Sequence, residues 1–205
     1  MRMRIIEHSR APNPRRVRIF LAEKAITVPF EQIDIMQLDQ RSAGFTALNP
    51  LQRVPVLVLD DGTAISESVA ICRYFEETHP EPALFGATAR ERAVVEMWNR
   101  RVELSLLLPV SECFRHTHPS MVALEVPQIP AWAQVNRQRA TTMLAVLDAE
   151  LALHPFVAGA KLSIADITAL VAVDFMKPAR IERPAGLACL ERWHAAMSAR
   201  ASAKA

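Results

Sequence analysis

Over roughly the first eighty residues the apolar positions fall in short bursts, and beyond them they recur at helical spacing. Arg4-Ile5-Ile6-Glu7 predicts a strand. Val17, Phe20 and Leu21, at i, i+3 and i+4, predict a helix over residues 15–24 with Asn13 as N-cap and Pro14 at the first helical position. β-Branched and aromatic residues over 28–35 predict a second strand, and Phe45 and Leu48 anchor a short helix within 37–48. Val56-Leu57-Val58-Leu59 and Thr63-Ala64-Ile65 flank Asp60-Asp61-Gly62, and Asp-Gly tolerates the positive φ that a tight hairpin turn demands. Ser66-Glu67-Ser68 then opens a helix with Ile71, Tyr74, Phe75 and Thr78 on one side, ending before Pro80.

Beyond that point strand signals vanish. Val95, Trp98 and Val102 stripe a helix over 87–108, and Ala140, Met143, Leu144, Leu147 and Leu151 stripe another over 140–151. Pro109, Pro119, Pro127 and Pro130 interrupt the region between, so 112–130 reads as kinked or looped. Ser163 and Asp166 form an S-x-x-D capping pair ahead of Ile164, Ile167, Leu170 and Val171. A last helix carries Leu187, Leu190, Trp193 and Met197, and the Ala-rich tail 198–205 is expected to fray. The fold class is therefore α/β plus all-α: a small mixed sheet with helices over 1–79, a Pro-containing linker over 80–86, and an all-helical domain over 87–205.

Composition narrows the function classes. With 24 basic and 22 acidic residues among 205, spread rather than striped, a nucleic-acid partner is not expected. Cys72, Cys113 and Cys189 form no C-x-x-C pair, which speaks against a redox dithiol, a metal site or a disulfide framework, and for buried thiols. No apolar run is long enough to span a bilayer and no secretory signal opens the chain, so no membrane partner is expected and the expected location is cytoplasmic.

Asn49-Pro50-Leu51 leading to Val54-Pro55-Val56, then Glu67-Ser68 at a helix start, then residues 159–166 (Gly-Ala-Lys-Leu-Ser-Ile-Ala-Asp), resemble in order and spacing the cytosolic glutathione transferase family. The resemblance covers nearly the whole chain and implies a thioredoxin-like N-terminal domain followed by an all-helical C-terminal domain. It implies glutathione as co-substrate, no metal, and a homodimer. Glutathione carries an amino group and two carboxylates, so its site needs backbone pairing, one negative group and anion receptors. The resemblance makes Val54-Pro55 a cis turn whose Val54 backbone pairs with the cysteinyl unit; on the residues alone, a Pro55 that merely starts an edge strand fits equally well. It assigns Ser68 to the γ-glutamyl carboxylate, Glu67 to the amino end and Arg53 to the glycine carboxylate. Read without it, Ser66 or Ser68 is a helix cap, Glu67 a dipole-friendly acid and Arg53 a solvated side chain.

Counting back from Arg16-Val17-Arg18-Ile19, which resembles the start of the family's first helix, the position of the usual thiol-activating residue is expected to fall on Ala11, which cannot donate. Ser9 and Asn13 flank it as candidate catalytic residues. The run from Ser9 to Ile19 resembles a fungal and bacterial branch of the family in which a histidine of the helical domain holds an activating water. That implies His116, with His118 as runner-up; read alone, either is an ordinary core or surface histidine. Met97, Trp98, Leu106, Leu107, Leu108 and Phe114 are candidates for a pocket admitting a small apolar electrophile, or are simply core. The expected function is conjugation of glutathione to such an electrophile. A non-catalytic binding module, or glutathione-dependent isomerase or peroxidase chemistry, is the alternative.

Overall fold

The computed structural model describes residues 2–205, in two compact units, one running to Pro82 and taking in Lys204–Ala205, the other spanning Ala83–Ala203. The first contains β1 (Arg4–Glu7), α1 (Pro12–Glu23), β2 (Phe30–Gln32), α2 (Ala43–Leu48), β3 (Val56–Val58), β4 (Ala64–Ser66) and α3 (Ser68–Thr78). The sheet runs β2-β1-β3-β4, with β1 parallel to β2 and antiparallel to β3, and β3 antiparallel to β4. Alternation sorts the strand residues: Ile6, Val56 and Val58 pack with Phe45 of α2 on one face. Ile5 and Leu57, paired across β1 and β3, turn the other way, and Val17, Phe20, Ile71 and Phe75 of the mutually packed α1 and α3 complete the interior.

Two local expectations shift. Helix α1 begins three residues earlier than its periodicity predicts, with Ala11 as N-cap and no capping side chain. Asn13 is therefore the second helical residue and not the cap, because Pro12 suits the first turn as well as Pro14 does. β2 is only three residues long and exposed throughout, as an edge strand that buries neither face.

The second unit holds α4 (Ala89–Val102), α5 (Leu108–Thr117), α6 (Pro130–Leu153), α7 (Ile164–Phe175) and α8 (Ala188–Ser198). α7 is buried at every residue from Ile164 to Val173, which makes it the central rod on which α4 and α8 pack. A buried bond from Thr168 Oγ1 to Asn99 Oδ1, 2.7 Å, fixes α7 against α4.

The prolines act differently from the sequence reading. Pro109 does not end the helix: Glu103–Leu107 widens into a π turn that joins α4 to α5, leaving room where the proline ring would meet the Ser105 carbonyl. Helix α5 thus covers residues 112–117 of the stretch expected to be looped, and Pro130 starts α6 at its first position. Leu84 and Phe85, within the expected linker, are core residues of this unit, with Ile164 N–H donating to the Leu84 carbonyl at 2.9 Å. The tail closes in a short 3-10 turn, Ala201–Lys204, with Ser202 buried, where fraying was expected. Among the described residues no helix is long and apolar enough to cross a membrane.

Candidate functional site

The site of interest in the first unit lies where β3 and β4 share an end. Val56 pairs with Ser66, and the ladder stops there, so Val54 and Ser68 each lie two residues past the last pair on adjacent strands. The Val54–Pro55 peptide is cis. Asn49, only 1% exposed, shapes the approach: its Nδ2 donates to the Arg53 carbonyl at 2.8 Å, its Oδ1 accepts from Leu51 N–H at 3.1 Å, and its own carbonyl accepts from Gln52 N–H at 2.9 Å. Wound on this one buried amide, residues 49–53 deliver Val54 to the sheet end. Arg53 is exposed, Val54 half-buried and Pro55 buried.

Across from Val54, Glu67 is the N-cap of α3 with φ 69° and ψ 115°, a left-handed excursion unusual for a residue with a Cβ. Such strain costs on the order of 1–3 kcal/mol and clusters at ligand clamps and active sites. Glu67 is exposed and makes no capping bond, and Ser68, at 5% exposure, does not cap either: its Oγ accepts from Arg16 Nη1 at 3.1 Å. Ser68 therefore keeps its hydroxyl proton to give, beside a helix N-terminus with no side-chain cap.

The loop after β1 is braced by a buried carboxylate. Glu7, 2% exposed, accepts from Arg18 Nη1 at 2.5 Å and Gln32 Nε2 at 2.6 Å. The same two side chains hold Ser9, Arg18 at its carbonyl (2.8 Å) and Gln32 at its N–H (3.0 Å). Ser9 and Asn13 are both exposed. Because Pro12 and Pro14 carry no N–H, Asn13 supplies the one amide proton among the first three residues of α1.

His116 sits in the second unit with both ring nitrogens engaged. Nδ1 accepts from Ile129 N–H at 3.1 Å, so the proton is on Nε2, which faces Glu112 Oε2 at 3.4 Å and Glu125 Oε1 at 3.9 Å. His118 stacks on Phe114, with centroids 4.5 Å apart, and its Nδ1 lies 2.7 Å from Ser120 Oγ. Of the expected pocket residues, Trp98, Leu106 and Leu107 are core, whereas Met97 and Leu108 are exposed. A groove of about 750 Å³ on this unit is lined instead by Leu104, Ser105, Pro109, Val135, Arg139 and Met143, among others.

Sequence reasoning missed Asn49 as the organiser of the turn and Arg16 as the partner of Ser68. Arg16 stands in the basic run Arg15-Arg16-Val17-Arg18. Its spacing to Ile19 and Phe20, three and four residues on, places it on the buried face of α1 and was the available signal.

Residues 11–78 match the glutathione S-transferase N-terminal domain, and 130–196 the glutathione S-transferase C-terminal domain. The chain is 36% identical to glutathione S-transferase 2 of Saccharomyces cerevisiae over 99% of its own length and 88% of that protein. A crystal structure of a glutathione S-transferase domain-containing protein from Marinobacter aquaeolei VT8 superposes with a TM-score of 0.94 at 40% identity, covering 97% of this chain and 98% of that one. With a thioredoxin-like unit, an all-helical unit and a cis-proline turn facing an uncapped helix start, the chain belongs to the glutathione S-transferase family. Within that family it is similar over nearly its whole length to Gtt2 of Saccharomyces cerevisiae, whose crystal structure matches at a TM-score of 0.94 and 36% identity, over 98% of each chain.

Proposed function

We propose that this protein binds glutathione at the shared end of β3 and β4, holds its sulfur as a thiolate and transfers it to a small apolar electrophile. The observation that carries the reading is that Val54 and Ser68 each follow two residues beyond the last β3–β4 pair at the same end of the sheet, Val54 before β3 and Ser68 at a helix start with no side-chain cap. Val54 pairs with the cysteinyl backbone, as an added strand would. Ser68 donates to the γ-glutamyl carboxylate, Glu67 takes the amino group, and exposed Arg53 meets the glycine carboxylate.

For the thiolate, the proposal gives the first role to the start of α1. The Asn13 amide and the positive helix end act on sulfur, with the Asn13 side chain and Ser9 hydroxyl as further donors from the braced loop. His116, which lies beside Glu112 and Glu125, enters the proposal as the candidate holder of an activating water. The exposed apolar residues Leu104, Leu108, Val135 and Val146 support the homodimeric form of the reading, and sedimentation at micromolar concentration tests it.

Ultraviolet difference spectra of the glutathione complex over a pH series test the chemistry. The expected result is thiolate absorbance well below the free thiol value of about 8.5. A bound thiol that titrates at the free value refutes thiolate activation and leaves a binding module. His116→Ala is expected to lower turnover far more than glutathione affinity, and unchanged turnover removes His116 from the proposal.

A further inference from the structure

Arg16 is fully buried, at 0% exposure, in α1, the helix that packs against α3. An arginine in that position is a costly choice unless its charge has work that a neutral side chain cannot do. Its Nη1 donates to Ser68 Oγ at 3.1 Å, at the first residue of α3. A hydroxyl has one proton and two acceptor sites. Once a guanidinium occupies an acceptor site, the proton turns away from the cation, and Ser68 is left as an oriented donor and not a rotor. Glu67 makes no side-chain cap bond, so the first-turn amides of α3 add their positive end to the same place. The charge of Arg16 is also felt one turn further along α3, where it pulls the Cys72 thiol down against the much larger upward push of burial.

We propose that Arg16 is a positioning residue for glutathione: it fixes the Ser68 hydroxyl as a donor and supplies a buried positive charge behind it, so that the site selects a ligand bearing the γ-glutamyl carboxylate. This rests on the assignment of Ser68 under the proposed function. The guanidinium does not touch the ligand; its effect passes through the serine and through the field at the start of α3.

The experiment compares two peptides, glutathione and γ-aminobutyryl-cysteinylglycine, which keeps the amino group but lacks that carboxylate. Dissociation constants for both are measured by calorimetry on the wild type, Arg16→Lys, Arg16→Gln, Ser68→Ala and the Arg16→Lys/Ser68→Ala pair. The wild type is expected to prefer glutathione, and Arg16→Gln to reduce that preference about tenfold, the scale of one charge-assisted hydrogen bond. Binding of the decarboxylated peptide should change less than about twofold, since the peptide has nothing for the oriented donor to meet. Arg16→Lys, which keeps the charge, should recover part of the preference.

A purely structural role would weaken both peptides alike, and an unchanged preference in Arg16→Gln overturns the proposal. If Arg16→Gln does not fold, the lysine variant decides: its loss of preference must shrink when Ser68 is already alanine, and an undiminished loss overturns action through the serine. A wild type that binds neither peptide removes the glutathione reading itself. A wild type that binds glutathione, with variants of unchanged preference, removes only the role of Arg16.

Discussion

Asp166 offers the most demanding test of how the helical unit is held. Its carboxylate is fully buried and accepts four bonds: Val157 N–H at 2.8 Å, Ser163 N–H at 3.0 Å, Ser163 Oγ at 3.0 Å and Trp193 Nε1 at 3.0 Å. It thereby ties the loop before α7, the cap of α7 and helix α8 to one group. Asp166→Ala strands three buried N–H donors, whereas the Ser163 hydroxyl can rotate to another acceptor. At about 1–3 kcal/mol for each orphaned donor the gross loss is roughly 3–9 kcal/mol, and with local relaxation a net cost of about 3–5 kcal/mol is expected. Burial, opposed by these four bonds, pushes the Asp166 carboxyl up from 3.8 to about 6. Between those values the folded chain holds a proton that the unfolded chain has released. The stability from this group is therefore complete below about pH 4 and is lost as pH rises through about 6, by roughly 3 kcal/mol. Asp166→Asn cannot titrate and should lack that slope. Urea unfolding at pH 4.5, 5.5 and 7, followed by tryptophan fluorescence with Trp193 as a local reporter, measures both effects. An alanine variant within about 1 kcal/mol of wild type, or an asparagine variant with an unaltered pH slope, refutes the reasoning.

Two other groups give sharp outcomes. Lys24 is buried, with Nζ 2.7 Å from each of Glu76 Oε2, the His79 carbonyl and the Pro82 carbonyl, so Lys24→Met removes the cation of a buried ion pair and should cost roughly 3–5 kcal/mol in urea unfolding. A loss below about 1 kcal/mol would show that the pair is dispensable. Burial pushes the Cys72 thiol up to about 12, so at pH 8 it is protonated and should resist iodoacetamide in the native protein, while partly exposed Cys189 is alkylated; mass spectrometry of peptides distinguishes the two.

What the sequence disclosed follows the range over which each signal acts. The Asp60-Asp61-Gly62 hairpin, β1, α3 and the capping box at Ser163 and Asp166 all form where expected, because turn chemistry and caps are set by neighbours. The extent of the helices around Pro109 and Pro130 was not legible. Whether a proline breaks a helix depends on the space the fold leaves for its ring, and here a π turn supplies it. At the candidate site, Val54-Pro55 and Glu67-Ser68 were found through their motifs. Asn49 was seen only as part of such a motif, and its hold on the Arg53 carbonyl is a contact that no periodicity encodes. Arg16 was hidden for a related reason: charge type argued for solvent while position argued for core, and only packing decides between them.

The joint between β4 and α3 consists of a single residue, Glu67, held at φ 69°, followed at once by Ser68 tied to the buried Arg16. Under the proposed function, architecture and ligand recognition share these few atoms, so a change that relaxes the joint loosens the grip on the ligand as well. On the same reading, the loop after β1, exposed at Ser9 and Asn13, carries no such double duty and can change without disturbing the β4–α3 joint.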